Sequence, residues 1–238
     1  MSFSEVVQYT KNESTSTPLD TLNGTTAISI ATGDVLVGIF GWNGATTTVS
    51  CQSGAGENVF SMYSITDHSG NTDLHTAFGI KYGAVSHTAA TMTFGLAAAR
   101  IYLSFIVGIW RPDGGDTVTV NSHPAAVDAN DVDTNTSGAI NTSGTDSLAV
   151  VAMSEYSGRE VETMSMAGAV VTYLFSTAFA THMGYKLYTS SQTGVAGGIT
   201  LSGIADSTIE IISFDSAAGG EPGGGSVENI AYYIRRRA

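Results

Sequence analysis

The chain is short of positive charge. Of 238 residues only nine are Lys or Arg, against 21 Asp or Glu, for a formal net charge of −12. A protein that grips nucleic acid through its phosphates needs a basic footprint, so nucleic acid is excluded as an expected partner. An anionic membrane surface is excluded on the same ground. Charge of either sign is scarce, at 13% of residues, roughly half the usual ~25%. There is one cysteine, Cys51, which rules out an internal disulfide and a cysteine-based zinc site. Long apolar runs are missing as well. The longest, from Ile101 to Trp110, is broken by Ser104 and Gly108 and falls short of the ~20 residues of a membrane-spanning helix. Met1–Glu5 has neither the basic nor the apolar segment of a signal peptide, so synthesis in a cytoplasm is expected.

What is there points to strands. The chain has 28 glycines and abundant Ser, Thr and Val, a composition suited to short strands and tight turns. Val35–Trp42 is a β-branched and aromatic run with the length of a buried strand, and Asn43-Gly44 after it is a turn dipeptide that tolerates positive φ. Further strands are expected near 46–51, 59–65, 76–82, 91–94, 100–110, 148–156, 170–175, 181–188, 198–202 and 208–214. Residues 112–132 read as less regular. The helix candidates are weak: Arg159–Met166 and Leu96–Arg100.

The two halves echo each other. Gly33-Asp34-Val35-Leu36-Val37 matches Thr145-Asp146-Ser147-Leu148-Ala149, and Phe78-Gly79-Ile80-Lys81 matches Met183-Gly184-Tyr185-Lys186. After each Lys come a polar loop, a short strand and an apolar strand. The fold expected is all-β: a jelly-roll-like antiparallel β-sandwich of two pseudo-repeated four-strand units, each sheet burying one face against the other. Residues 1–24 read as an N-terminal arm, 25–216 as the sandwich, and 217–238 as a Gly-rich linker with a basic C-terminal arm.

The second half runs as an Asp turn and buried strand (Asp146–Val151), Tyr185-Lys186-Leu187-Tyr188, a small-residue strand (197–202), Ala205-Asp206, and an apolar strand (Ile209–Phe214). This order, over residues 25–215, resembles jelly-roll-like sandwich proteins on the virion surface of tailed bacteriophages, of the decoration and tail-associated kind. The resemblance implies a structural virion component without a cofactor, located on capsid or tail and bound to other copies of itself and to other virion proteins. A carbohydrate- or receptor-binding module of a tail fibre, recognising a host-surface glycan, is the alternative, and a glycan hydrolase the second alternative.

The end of the chain is distinctive. Gly219–Ser226 is a linker by composition. Val227, Ile230, Tyr232, Tyr233 and Ile234 then read as a strand, followed by Arg235, Arg236 and Arg237, three of the nine basic residues. A tethered strand with an Arg cluster has the form of an arm that adds to a neighbour's sheet edge while its guanidiniums meet carboxylates.

Candidate chemistry is sparse. Asp67, His68, Asp73 and His75 sit close together and supply metal-ligand types, but without any zinc spacing. Asp128–Asn135 is an oxygen-rich loop for calcium, yet an EF-hand begun at Asp131 would need Gly and Glu where Thr136 and Thr142 stand. Glu155 and Glu210 lie on strands and are the acids a hydrolase would use. Cys51 beside a strand reads as core. Trp42, Trp110, Tyr156, Tyr185 and Tyr188 would form a sugar platform if exposed, and core if not. Catalytic, cofactor and metal residues are therefore expected to be absent, and the arm residues are the site.

Overall fold

A computed structural model describes residues 3–13, 17–45, 47–54, 56–68, 74–113, 117–142, 146–155, 161–167, 169–170, 172–175 and 181–217. The described residues are nearly all strand, without an α-helix. The first half holds β1 (Phe3–Glu13), β2 (Leu19–Asn23), β3 (Ile28–Ile30), β4 (Val35–Asn43), β5 (Val49–Ser53), β6 (Ser61–Asp67), β7 (Leu74–Lys81), β8 (His87–Ala90) and β9 (Met92–Pro112). The second holds β10 (Thr117–Ser122), β11 (Val127–Thr142), β12 (Ser147–Glu155), β13 (Val161–Met166), β14 (Ala169–Val170), β15 (Thr172–Phe175), β16 (Thr181–Tyr188) and β17 (Gln192–Ala217).

The halves are built alike. The order β1-β9-β4-β7-β6 in the first sheet matches β10-β17-β12-β16-β15 in the second, all antiparallel. Each half ends in one long strand that serves two sheets. The first part of β9 pairs with β2 and β5, and its last part with β1 and β4. In the same way β17 pairs with β13 early and with β10 and β12 late, while β11 follows it along much of its length. A strand that changes sheets must bend. In β9 the bend falls at Tyr102, whose φ of 51° lies in the left-handed region.

Three cores result. One lies within the first half, between the face of β4 and β9 carrying Leu36, Phe40, Phe105 and Val107 and the smaller sheet carrying Leu22, Cys51 and Phe94. The second half has its own, including Val151, Met153, Ile211, Met164 and Ile199. The third joins the halves: Val35, Val37, Ile39, Phe78 and Trp110 pack with Leu148, Val150, Met183, Ile212 and Phe214. The large sheets face each other as expected, but they form the middle of a four-layer stack. This explains why Val35–Trp42 reads as an unbroken apolar run: alternate side chains go to different cores, and all are buried, as in any strand covered on both faces. The same holds for β12, buried from end to end.

Several expectations shift. Residues 3–23, read as an arm, contain β1 and β2, both paired with β9, and Phe3 belongs to the central core. Leu96–Arg100 lies within β9, and 161–166 of the other helix candidate form β13. The Asp128–Asn135 loop is part of β11, paired with β17. The match of Asp34 with Asp146 is one residue out. Leu36 lies opposite Lys81 and Ala149 opposite Lys186, so Asp34 corresponds to Ser147, and the inward sets Val35, Val37, Ile39 and Leu148, Val150, Ala152 coincide. A one-residue slip on a strand would exchange its two faces. No helix among the described residues is long and apolar enough to cross a membrane.

Candidate functional site

The polar groups of the structure converge on the seam between the halves. At one end of the central core, the first half presents Thr76, Gly41 and Ser104 side by side, and the second presents Thr181, Ser154 and Thr208. These are corresponding positions in the two halves. The two rows touch: a Cβ on Gly41 would lie 3.3 Å from Ser154 Oγ and 3.6 Å from Thr181 Cγ2. Only small side chains allow the sheets this approach. Thr76 Oγ1 donates to Ser154 Oγ across the seam at 2.7 Å.

His68 seals this end. Its Nε2 lies 3.0 Å from Thr76 Oγ1 and 3.0 Å from Thr208 Oγ1, and its Nδ1 lies 3.2 Å from Asp128 Oδ1. Thr208 Oγ1 also donates to Asp128 Oδ1 at 3.1 Å. Burial pushes the His68 pKa down, against the opposing pull of Asp128 and Asp206. Carboxylate, imidazole and hydroxyl in series are the ingredients of a nucleophile relay. Here Thr76 and Thr208 are fully buried and Ser154 is 1% exposed. Their hydrogen bonds are used in joining the halves.

The second cluster centres on Glu210, fully buried on β17. Its Oε2 lies 3.0 Å from His123 Nε2, and its Oε1 accepts a short hydrogen bond from Ser64 Oγ on β6. His123 is stacked on Phe78, with ring centroids 5.4 Å apart and planes 11° apart, and Tyr63 meets its edge at 4.9 Å. One carboxylate thus fastens β6 of the first half and the segment after β10 to the core strand of the second. Buried charge is tolerable only when so satisfied.

The residues singled out from the sequence scatter. His75 Nδ1 pairs with Asp67 at 2.6 Å, while His68 turns to Asp128; Asp73 lies outside the described residues. Among the described residues no group of three or more His, Cys, Asp or Glu could hold a metal ion. Glu155 and Glu210 are both buried. Cys51 is a buried core residue whose thiol pKa is pushed up by burial. Trp42 and Trp110 are fully buried and Tyr188 is 7% exposed, so they are core rather than platform; Tyr156 lies outside the described residues. Among the described residues the exposed aromatic side chains are Tyr63 and Tyr82. The arm residues Val227, Ile230, Tyr232, Tyr233, Ile234, Arg235, Arg236 and Arg237 also lie outside the described residues.

Ser64, His123, Asp128 and Thr208 were not expected as partners. One signal was available: in Thr208–Phe214, Glu210 shares its face with Ile212 and Phe214, so period-2 alternation turns a carboxylate inward. Its partners are distant in sequence and carry no spacing signal. Comparison with protein-family models, curated proteins and solved structures finds no match to this chain.

Proposed function

We propose that the chain is a non-enzymatic structural subunit that assembles with other copies and neighbouring proteins through sheet edges and its termini. The observation that carries this reading is where the chemistry-bearing side chains go. The His68 and Glu210 clusters are buried and engaged in tying one half to the other. A double sandwich fastened on its internal faces offers contact surface as its product. The residue order in 25–215 that resembles phage virion surface proteins suggests the setting: a capsid decoration or tail-surface protein of a tailed phage.

The full-length protein should sediment as an oligomer and be recovered from purified virions at a copy number set by capsid or tail symmetry. A monomer at all concentrations, absent from particles, would sink the reading. Glycan binding is the competing function, with the exposed Tyr63 and Tyr82 as its aromatic surface. A glycan array probed with the intact protein, alongside a Tyr82→Ala variant, separates the two.

A further inference from the structure

We propose that β6 and its flanks are the acceptor site for the C-terminal segment, residues 227–237, of a second copy of this chain. The inference rests on the assembly reading and names the surface and the occupant.

Among the described residues β6 ends its sheet and pairs with β7 alone. An edge strand presents backbone donors and acceptors that an incoming strand can satisfy. The side chains around it are unusually apolar. Val59, Tyr63, Ile65, Tyr82 and Val85 are each 43–54% exposed, and among the described residues only Ile204 of the large exposed apolar side chains lies elsewhere. Scattered exposed apolar residues are ordinary, whereas a contiguous group marks an interaction surface. These are contiguous: Val59 and Ile65 flank Tyr63 on one stretch of chain. Tyr82 follows β7 directly, two residues beyond Ile80, which lies opposite Ser61 of β6, and Val85 is bonded through its backbone to Asn58 beside Val59.

The patch is also held rigid. Buried Asn58, next to Val59, accepts from Val85 N at 2.8 Å and donates to Val85 O at 3.0 Å. Ser64 is bonded to Glu210, and Tyr63 rests against His123. A surface that does not have to be ordered on binding loses less entropy there.

Charge selects the occupant. Residues 12–80 contain neither Lys nor Arg. Near the two ends of β6 stand Glu57, with its side chain 49% exposed, and Asp67, at 61%. Each is already near a histidine, but a carboxylate has about four acceptor positions. The segment that matches is Val227–Ile234 with Arg235, Arg236 and Arg237: apolar and aromatic residues for the patch, guanidiniums for the acidic end.

The assembly reading makes a neighbouring copy the source; the chain's own tail is the other source, and the test distinguishes the two.

The test uses the full-length chain carrying a photo-crosslinker at Tyr233→p-benzoylphenylalanine, mixed with isotope-labelled copies and read by mass spectrometry. The expected cross-links join residue 233 of one copy to residues 59–67 or 82–85 of another. Val59→Lys with Ile65→Lys, both at exposed positions, should cut that yield at least tenfold with the melting temperature unchanged. Cross-links within one chain, cross-links to another surface, or an undiminished yield from the double variant would each overturn the proposal. If copies sediment as an oligomer while residue 233 attaches elsewhere, the assembly reading survives and this inference fails. If the copies stay monomeric, both fail.

Discussion

Asp34 and Arg111 are joined by a two-point ion pair, Nε to Oδ1 at 2.9 Å and Nη2 to Oδ2 at 3.0 Å, at the register step where the second half has Ser147 opposite Asp215. The corresponding contact there is a hydrogen bond from Ser147 Oγ to Asp215 Oδ1 at 2.5 Å. Asp34 also accepts from Ala31 N at 2.6 Å, closing the turn that feeds β4. The position keeps its carboxylate interaction in both halves, although the acid sits on opposite partner strands.

Removing the cation should therefore cost more than removing the hydroxyl. Arg111→Leu leaves a fully buried carboxylate half-satisfied and should lower unfolding free energy by about 2–3 kcal/mol, below the range for a wholly buried pair because Arg111 is 35% exposed. Ser147→Ala should cost about 1 kcal/mol. Urea denaturation of the two variants measures the difference, and equal losses would contradict the ranking.

Acid should loosen the seam. The folded-state pKa of His68 is depressed by burial, while the unfolded chain keeps a value near 6.5. Below about pH 6.5 the unfolded state binds the proton first, so stability falls with falling pH until the folded-state pKa is reached. Above about pH 7 the group contributes no slope. Subtracting the stability–pH curve of His68→Gln from that of the native protein should reveal this slope between pH 7 and 5, and parallel curves would deny it.

Glu210→Gln should free β6. A glutamine offers one carbonyl oxygen where the carboxylate meets both Ser64 and His123. One bond is lost, at about 1–2 kcal/mol. Amide hydrogen exchange should accelerate over residues 61–67 and little elsewhere.

Gly108→Ala should destabilise by about 1–3 kcal/mol, the range for overpacking a full core. An added Cβ would lie 2.5 Å from the far edge of the Trp110 ring and 3.2 Å from Met183 Sδ, in the core between the halves. Thermal unfolding measures it. A melting temperature unchanged by the substitution would mean that Trp110 can move aside.

Strand class was legible because it is written locally. The run Val35–Trp42 and the Asn43-Gly44 turn dipeptide are both where the structure has β4 and the bend after it. The duplication was legible too, from Lys81 and its echo Lys186, while the Asp34–Asp146 match was one residue out. What local pattern could not supply was depth. A strand buried on both faces and one buried on one face in an apolar run look alike, so two layers were expected where four exist. The helix candidate at Leu96–Arg100 failed because tertiary pairing with β2 and β5 outweighs the helix propensity of an Ala-rich stretch. The seam clusters escaped because His68 meets Thr208 140 residues away, and Ser64 meets Glu210 146 away.

The two large sheets are party walls, each shared by two rooms. A substitution on the inner strands β4 or β12 that suits one compartment must also keep the backbone in place for the other, since neighbouring side chains on one strand enter different interiors. Sequence drift in this molecule should therefore concentrate on its outer leaves and rims, where new neighbours can be acquired while the walls stay fixed.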